Sequence, residues 1–202
     1  MKAKLIINNI TLELGHRELN EISYALNDCE KIKDIYHELA QSPSTETRSN
    51  IALQDNLHRK TVKLLLSDAQ VEVMRTMSRE NNFISNMTKE DIERFINIGD
   101  SEILTNMVDN IQNLTENYEV CERDWLCEKF YTQADPSVRY ELASSDEASG
   151  FIIKKLTEDP DINVSQAAKE TLEGIESEKD ENDEIEWDED DADDMDEEDV
   201  QL

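Results

Sequence analysis

Two stretches in the last third of this chain repeat one pattern. Residues 135–143 read DPSVRYELA and residues 159–168 read DPDINVSQAA. Each begins with an Asp-Pro turn and continues with small and apolar residues at helical spacing. A helix–turn–helix unit cannot bury its apolar face alone, so it is stabilised by stacking on copies of itself. The pattern therefore predicts an α-helical repeat architecture.

Weaker copies of the second helix of this unit occur earlier in the chain. They read TETRSNIA at 45–52, VEVMRTMS at 71–78 and SEILTNMV at 101–108. Aligning Arg48, Arg75, Thr105, Arg139 and Ser165 gives steps of 27, 30, 34 and 26 residues. The unequal steps predict that the middle units are degenerate.

Each second helix has a predicted first helix before it. Apolar spacing places the first helices at 28–40, 57–66, 88–98, 121–133 and 149–158, with the last second helix at 164–175. Thr88 followed by Asp91 is typical of a helix start, and Gly99 is typical of a helix end. An extra loop is expected around 115–120. Trp125 falls on an apolar face and is expected to be buried.

The phrases at 135–143 and 159–168 resemble the second-helix signature of HEAT-type repeats and of the related leucine-rich-variant repeats. The resemblance covers residues 28–175 and is clearest over 134–172. It implies a right-handed superhelix of antiparallel helix pairs, whose second helices line a concave surface that binds protein or nucleic acid.

The chain departs from these families in two ways. The signature arginine is missing in the third and fifth units, at Thr105 and Ser165. Some leucine-rich-variant proteins hold an N-terminal iron–sulfur cluster with several cysteines. This chain has one cysteine before residue 121, Cys29, so the resemblance does not carry that cofactor over.

The first and last segments differ from the repeats. Residues 1–16 contain LII, two asparagines and ITLEL, which predicts a β hairpin or an irregular arm. Residues 176–202 hold 17 acidic residues and one lysine, so burial cannot offset chain entropy there and a disordered tail is expected. The predicted fold is therefore all-α: a short α-solenoid of about five repeats over 17–175, an N-terminal β hairpin or arm, and an acidic tail.

Charge restricts the partners. Forty-nine acidic residues against 20 basic ones give a net charge of −29. Such a surface repels nucleic acid and anionic membranes, because phosphate contacts need lysine and arginine. It favours a basic protein or basic peptide segment. We expect no direct nucleic-acid binding and no membrane association.

Location is inferred from what the sequence lacks. The most apolar N-terminal stretch, 5–12, is short and broken by two asparagines, and neither a membrane span nor a signal peptide is recognisable. Three cysteines, an odd number, favour a reducing compartment. These features predict a cytoplasmic protein.

Candidate catalytic and metal-binding residues are few. Cys121 and Cys127 are six residues apart, which does not match the spacing of a zinc site, and we interpret them as core or near-surface thiols. His16, His37 and His58 are 21 residues apart but have polar neighbours, which favours solvated histidines over metal ligands. No catalytic or phosphate-binding motif occurs. We expect no enzymatic activity, no metal and no cofactor.

The repeat arginines have two interpretations. Arg48, Arg75 and Arg139 can each pair with an aspartate in a neighbouring turn, which would form a ladder between repeats; the available partners are Asp68, Asp100 and Asp135. Alternatively, a row of three cations on an acidic protein can hold a peptide that carries carboxylates. The ladder is favoured.

The acidic tail also has two interpretations. Its acidic residues can simply keep the chain soluble. Alternatively, Ile185 and Trp187 can anchor in a groove of a partner while the following acids, Asp188, Glu189, Asp190 and Asp191, engage its cations.

Two functions follow. The leading hypothesis is a non-enzymatic adaptor or scaffold, in which the solenoid surface and the acidic tail bind a basic partner protein. The alternative is an acidic DNA mimic that sequesters a nucleic-acid-binding protein. An enzyme is a third class, for which the sequence supplies no constellation of residues.

Overall fold

A computed structural model describes residues 3–7, 10–25, 32–116 and 122–183 of the chain. Within these ranges the chain forms a two-stranded sheet followed by thirteen helices. None of the helices in these ranges has both the length and the apolar run that crossing a membrane requires.

The N-terminal strands pair in antiparallel fashion. β1 spans Ala3–Ile7 and β2 spans Ile10–Leu14, with Ala3 opposite Leu14 and Ile7 opposite Ile10. β2 contacts α1, the helix that follows it in the chain, which spans His16–Ala25. The strands therefore sit against the start of the helical part.

The remaining helices follow the predicted pairs, with two additions. Their bounds are α2 Ile32–Leu39, α3 Thr45–Ala52, α4 Arg59–Leu66, α5 Val71–Met77, α6 Asn81–Ile84, α7 Lys89–Ile98, α8 Ser101–Val108, α9 Ile111–Thr115, α10 Arg123–Tyr131, α11 Pro136–Ala143, α12 Gly150–Leu156 and α13 Ile162–Asp183. We refer to α2, α4, α7, α10 and α12 as the first helices and to α3, α5, α8, α11 and α13 as the second helices.

Local sequence explains where several helices begin and end. The Thr88 side chain accepts from the backbone N–H of Asp91, and the Asp91 carboxylate accepts from that of Thr88, which closes a capping box at the start of α7. Gly99 ends α7 in the left-handed conformation, with φ of 67°. Pro136 begins α11, where a missing N–H costs nothing.

The second helices contact one another in chain order. α3 packs on α5, α5 on α8, α8 on α11 and α11 on α13. Among the other helices, α2 contacts α4 and α10 contacts α12. The short helices α6 and α9 lie between these two pairs. The apolar core lies between these two groups of helices; examples of fully buried residues are Ile51, Val73, Ile103, Leu142 and Ile153.

The short helices α6 and α9 were not predicted. Helices of four and five residues have too few turns to show helical periodicity and are marginal without tertiary support. Phe83 and Ile84 of α6 and Ile111 and Leu114 of α9 are buried, and this packing supplies that support. Ile111 was expected to belong to the preceding helix. The extra loop was expected at 115–120, and residues 117–121 lie outside the described part.

The last helix is longer than expected. α13 runs to Asp183, so the predicted boundary of a disordered tail at Glu176 is wrong for its first eight residues. Glutamate and lysine are good helix formers, which favours continuation of the helix into the acidic segment. Residues 184–202 lie outside the described part.

Candidate protein-binding surface

Three arginines on second helices each bind an aspartate in the turn that precedes the next helix of this group. Arg75 donates from Nε and Nη2 to the two carboxylate oxygens of Asp100, at 3.0 and 2.7 Å. Arg139 does the same to Asp159, at 2.7 and 3.1 Å. Arg48 binds both oxygens of Asp68. These two-point contacts fix the planar guanidinium more strongly than a single hydrogen bond would.

The same aspartates also bind backbone N–H groups at the start of the next helix. Asp68 accepts from the N–H of Gln70 at 2.9 Å, Asp100 from that of Ile103 at 3.2 Å, and Asp159 from that of Asp161 at 2.9 Å. Each carboxylate therefore links the arginine of one second helix to the first turn of the next.

The middle unit makes this link without arginine. Thr105 occupies the arginine position of α8, and the hydroxyl of Ser101 donates to Asp135 instead. Asp135 also accepts from the N–H of Ser137, at 2.9 Å, and caps α11. Asp135 was therefore wrongly proposed as an arginine partner. It lies in the unit of Arg139 itself, whereas the observed partner, Asp159, lies one unit further on.

These contacts change the acidity of the carboxyl groups. The hydrogen bond from Arg75 lowers the pKa of Asp100, and the hydrogen bond from Ser101 lowers that of Asp135. Burial acts to raise the pKa of Asp68 and Asp159, but hydrogen bonds from the paired arginine and from backbone N–H groups outweigh it and lower both pKa values. All four aspartates are thus held in the charged form.

Most hydrogen-bond donors of the three arginines are already bound, so few remain for a ligand. The remaining nitrogen of Arg48, Nη1, donates to the carbonyl of Ser42 at 2.7 Å, and that of Arg139 to the carbonyl of Gln133 at 2.7 Å. In addition to Asp100, Arg75 lies 3.3 Å from a carboxylate oxygen of Glu102. The geometry therefore places the three arginines in contacts between units.

The side chains left exposed on the second helices are mainly acidic and polar. Glu46, Glu72 and Glu170 lie on α3, α5 and α13, and each is exposed. Two large apolar side chains accompany them: Tyr140 of α11 is 45% exposed and Ile162 of α13 is 76% exposed.

Tyr140 separates two open depressions between α11 and α13. One, of about 430 Å³, is lined by Pro136, Ser137, Tyr140, Asp161, Asn163 and Val164. The other, of about 240 Å³, is lined by Tyr140, Asn163, Gln166, Ala167 and Glu170. Both linings combine polar groups with one aromatic ring, which suits an extended peptide better than a small apolar ligand.

A pair of carboxyl groups lies between α8 and α11. Burial raises the pKa of Glu141, and the neighbouring carboxylate of Asp109 raises it further. Asp109 follows α8 directly and Glu141 lies on α11. The sequence showed no sign of this pair, because the two residues are 32 positions apart.

Trp125 is half-buried rather than buried, which corrects the expectation from its neighbours. It packs against the core with one part of its ring system. Lys89 Nζ lies 4.7 Å and Lys129 Nζ 5.5 Å from the ring centroid. The apolar neighbours Leu126 and Phe130 take the buried positions on α10.

The other candidate residues do not assemble into a site. His37 Nδ1 lies 3.1 Å from the hydroxyl of Thr61, and His58 Nε2 lies 3.6 Å from a carboxylate oxygen of Asp34. Cys127 is buried, and burial raises the pKa of its thiol. Within the described ranges no group of three His, Cys, Asp or Glu side chains could hold a metal ion.

Several predicted residues lie outside the part that the structure describes. These are Cys29, Cys121 and the proposed anchor and contact residues of the tail, Ile185, Trp187, Asp188, Glu189, Asp190 and Asp191. Their role remains a prediction from the sequence.

Comparison with protein-family models, with curated proteins and with solved structures gives no match. The interpretation of the surface therefore rests on its own geometry. One missed contact had a usable signal in the sequence: Arg48 and Asp68 are 20 residues apart, and the same step from Arg139 leads to Asp159.

Proposed function

We propose that this chain is a non-enzymatic scaffold of HEAT-like repeats, in which the exposed face of the second helices binds an extended basic segment of a partner protein. The acidic tail adds long-range attraction for the same partner. The observation that carries the proposal is that the arginines of the second helices are bound to aspartates, so that acidic side chains outnumber basic ones among the exposed groups described on these helices, and Tyr140 adds an exposed ring.

The ladder supports the HEAT-like part of this proposal. An arginine that binds the capping aspartate of the next unit fixes the distance between successive second helices. Repeat proteins of this class rely on such contacts between nearest neighbours, and they present the helices of one layer as an extended surface. The order of contacts from α3 to α13 is the order that such stacking requires.

Charge supports the choice of partner. Glu46, Glu72 and Glu170 are separated along the second helices, so a partner must be extended to reach all three. Lysine or arginine side chains of the partner would meet these carboxylates, while one apolar residue would pack beside Tyr140. Complementary charge of this kind accelerates association and selects against acidic competitors.

The test is binding of the full chain to arrayed extended peptides of basic, neutral and acidic composition. We expect retention on basic peptides, weakened by Glu72→Gln, Glu170→Gln and Tyr140→Ala. Glu93→Gln, at an exposed site on the first helix α7, removes the same charge from another face and serves as the control. Equal effects of the three Glu→Gln substitutions, with no effect of Tyr140→Ala, would show that net charge alone drives binding.

The DNA-mimic alternative has its own support in the net charge of −29. Competition with duplex DNA cannot separate the two functions, because DNA would bind a basic partner in either case. Substitution separates them: Tyr140→Ala should weaken retention of a partner held by the second helices, whereas capture by a DNA mimic depends on charge and should be unchanged.

A further inference from the structure

Lysine ammonium groups lie over the half-buried ring of Trp125 on α10 and the exposed ring of Phe151 on α12. Lys89 and Lys129 flank the ring of Trp125, and Lys155 Nζ lies 4.5 Å from the ring centroid of Phe151, which is 64% exposed. The negative face of an aromatic ring attracts an ammonium group. The side of the ammonium group that points away from the ring stays open to an anion. We call Lys89, Trp125, Lys129, Phe151, Lys154 and Lys155 the lysine–aromatic face.

This face is a local exception in an acidic protein. Helix α12 carries Lys154 and Lys155 and no acidic residue. Lys155 pairs with Glu128 at 3.0 Å, but Lys89, Lys129 and Lys154 make no ion pair with any residue in the described ranges. Two of these unpaired lysines, Lys89 and Lys129, lie beside the ring of Trp125, and Lys154 is exposed on α12 with Phe151. Together they form a surface that fits an acidic chain carrying apolar or small residues.

The chain itself ends in such a segment close by. α13 packs against α12 and ends at Asp183, and the following 19 residues contain 12 acidic residues and no basic one. Among the α13 side chains that the structure describes, the last fully buried one is Ala168. Fifteen more residues of helix carry its end about 22 Å further.

Chain length decides which residues can return to α12. Nineteen extended residues span up to about 65 Å, so the acidic run at 188–199 can cover that distance. Trp187 is four residues from Asp183 and reaches about 14 Å, which is too short. The acidic run can therefore contact α12 while Ile185 and Trp187 stay near the end of α13.

We propose that the lysine–aromatic face is the docking surface for the acidic run 188–199 of the same chain. Carboxylates of this run pair with Lys129 and Lys154, which have no carboxylate partner in the described ranges, and Phe151 and Trp125 pack against its backbone and small side chains. The second-helix face stays open in this arrangement. A docked acidic run is less available to basic partners. A partner must therefore release the run from the lysine–aromatic face before it binds the run.

Zero-length carbodiimide crosslinking of the full chain, read by mass spectrometry, tests the proposal. At 0.01 M salt, where charges act over about 30 Å, we expect crosslinks from Lys129 and Lys154 to acids of 188–199. At 1 M salt, where the range is about 3 Å, these crosslinks should be lost. The Lys155–Glu128 pair, at 3.0 Å, reports that the reagent works.

Two comparisons make the test specific to this face. Lys63, exposed on α4 in a helix that also lacks acidic residues, reports random collisions with the tail. Phe151→Ala keeps every lysine but removes a ring that packs against the docked run, and it should lower the yield of the tail crosslinks to Lys154 about twofold to fivefold, the effect of losing one exposed contact with an aromatic ring. Because Phe151 is exposed, this variant is expected to fold normally.

Several results would overturn the proposal. Tail crosslinks to Lys63 as abundant as those to Lys154 would mean that the tail collides without preference. Tail crosslinks found only between two chains, and rising with protein concentration, would place the contact between copies. Formation of the Lys155–Glu128 crosslink without any tail crosslink would exclude docking. The test does not depend on the proposed partner.

Discussion

The arginine contacts differ in how far they are shielded from water. The side chains of Arg139 and Asp159 are 13% and 3% exposed, whereas those of Arg75 and Asp100 are 40% and 17% exposed. Arg79, which pairs with Glu102 on the surface, is 57% exposed. Ion pairs in water contribute little, while a buried carboxylate that loses its partner is costly. The contact nearest the C-terminal end is therefore the most sensitive to substitution.

The first prediction ranks three matched substitutions by their effect on the free energy of unfolding. Arg139→Gln leaves the carboxylate of Asp159 buried without its charged partner and should lower this free energy by about 2–3 kcal/mol. Arg79→Gln should change it by less than about 0.5 kcal/mol. Arg75→Gln should fall between them. Urea unfolding measures all three, and equal losses would contradict a role set by burial.

The carboxyl group of Glu141, which lies beside that of Asp109, has a pKa shifted in the opposite direction to those of the aspartates of the ladder. The pKa of Asp159 is lowered, so its contribution to stability is present above the ordinary pKa of aspartate and is lost as pH falls through the folded value. The pKa of Glu141 is raised, so the folded protein holds that proton more tightly than the unfolded chain does. Stability contributed by Glu141 therefore falls as pH rises above the ordinary pKa of glutamate.

The second prediction follows from this sign. Glu141→Gln should raise the free energy of unfolding at pH 7 by about 0.5 kcal/mol, the upper range for neighbouring like charges on helices. The gain should disappear near pH 4, where the wild-type carboxyl group also holds its proton. Glu93→Gln, which removes one exposed charge elsewhere, controls for the general effect of net charge. Thermal unfolding at both pH values measures the difference, and a gain independent of pH would contradict the role of the pair.

At the scale of helices, the sequence predicted best those helix ends that a few adjacent residues determine. The capping box of Thr88 and Asp91 and the left-handed Gly99 lie where their patterns predicted, because a few adjacent residues determine them. The short helices α6 and α9 and the half-buried position of Trp125 depend on packing between distant residues. The partner of Arg139 was missed because Asp135, in the turn of its own unit, was taken as the partner, although the 20-residue step from Arg48 to Asp68 leads from Arg139 to Asp159.

The third prediction compares two glycines at helix ends. Gly99 has φ of 67° and open space around its Cα, so Gly99→Ala should cost about 1 kcal/mol through the backbone alone. Gly150 is the first residue of α12, also has open space, and has an ordinary φ. Gly150→Ala should therefore stabilise the protein by about 0.4–1 kcal/mol, because the unfolded chain loses freedom. Thermal unfolding of the two variants tests these opposite signs, and a loss in both would mean that α12 begins elsewhere.

At the scale of the molecule, stability should be transmitted between neighbouring helices. α12 contacts α10, α11 and α13, and α4 contacts α2, α3, α5 and α6. The two sets share no helix. In a stacked array, a lesion in one unit weakens that unit and its neighbours before it affects distant ones. In a single globular core, the same lesion would weaken all helices together.

The last prediction uses this difference to test the proposed solenoid. Ile153 of α12 and Leu65 of α4 are both fully buried, and truncation of either to alanine should cost about 2–5 kcal/mol. In Ile153→Ala, amide hydrogen exchange should accelerate in α10–α13 and remain close to the wild-type rate in α2–α5. Leu65→Ala should give the reverse pattern, which makes each variant the control for the other. The two substitutions remove similar apolar volume. A difference in which helices exchange faster therefore shows which helices stabilise one another, and does not reflect the volume removed. Uniform acceleration across all helices in both variants would show one cooperative core and contradict the solenoid.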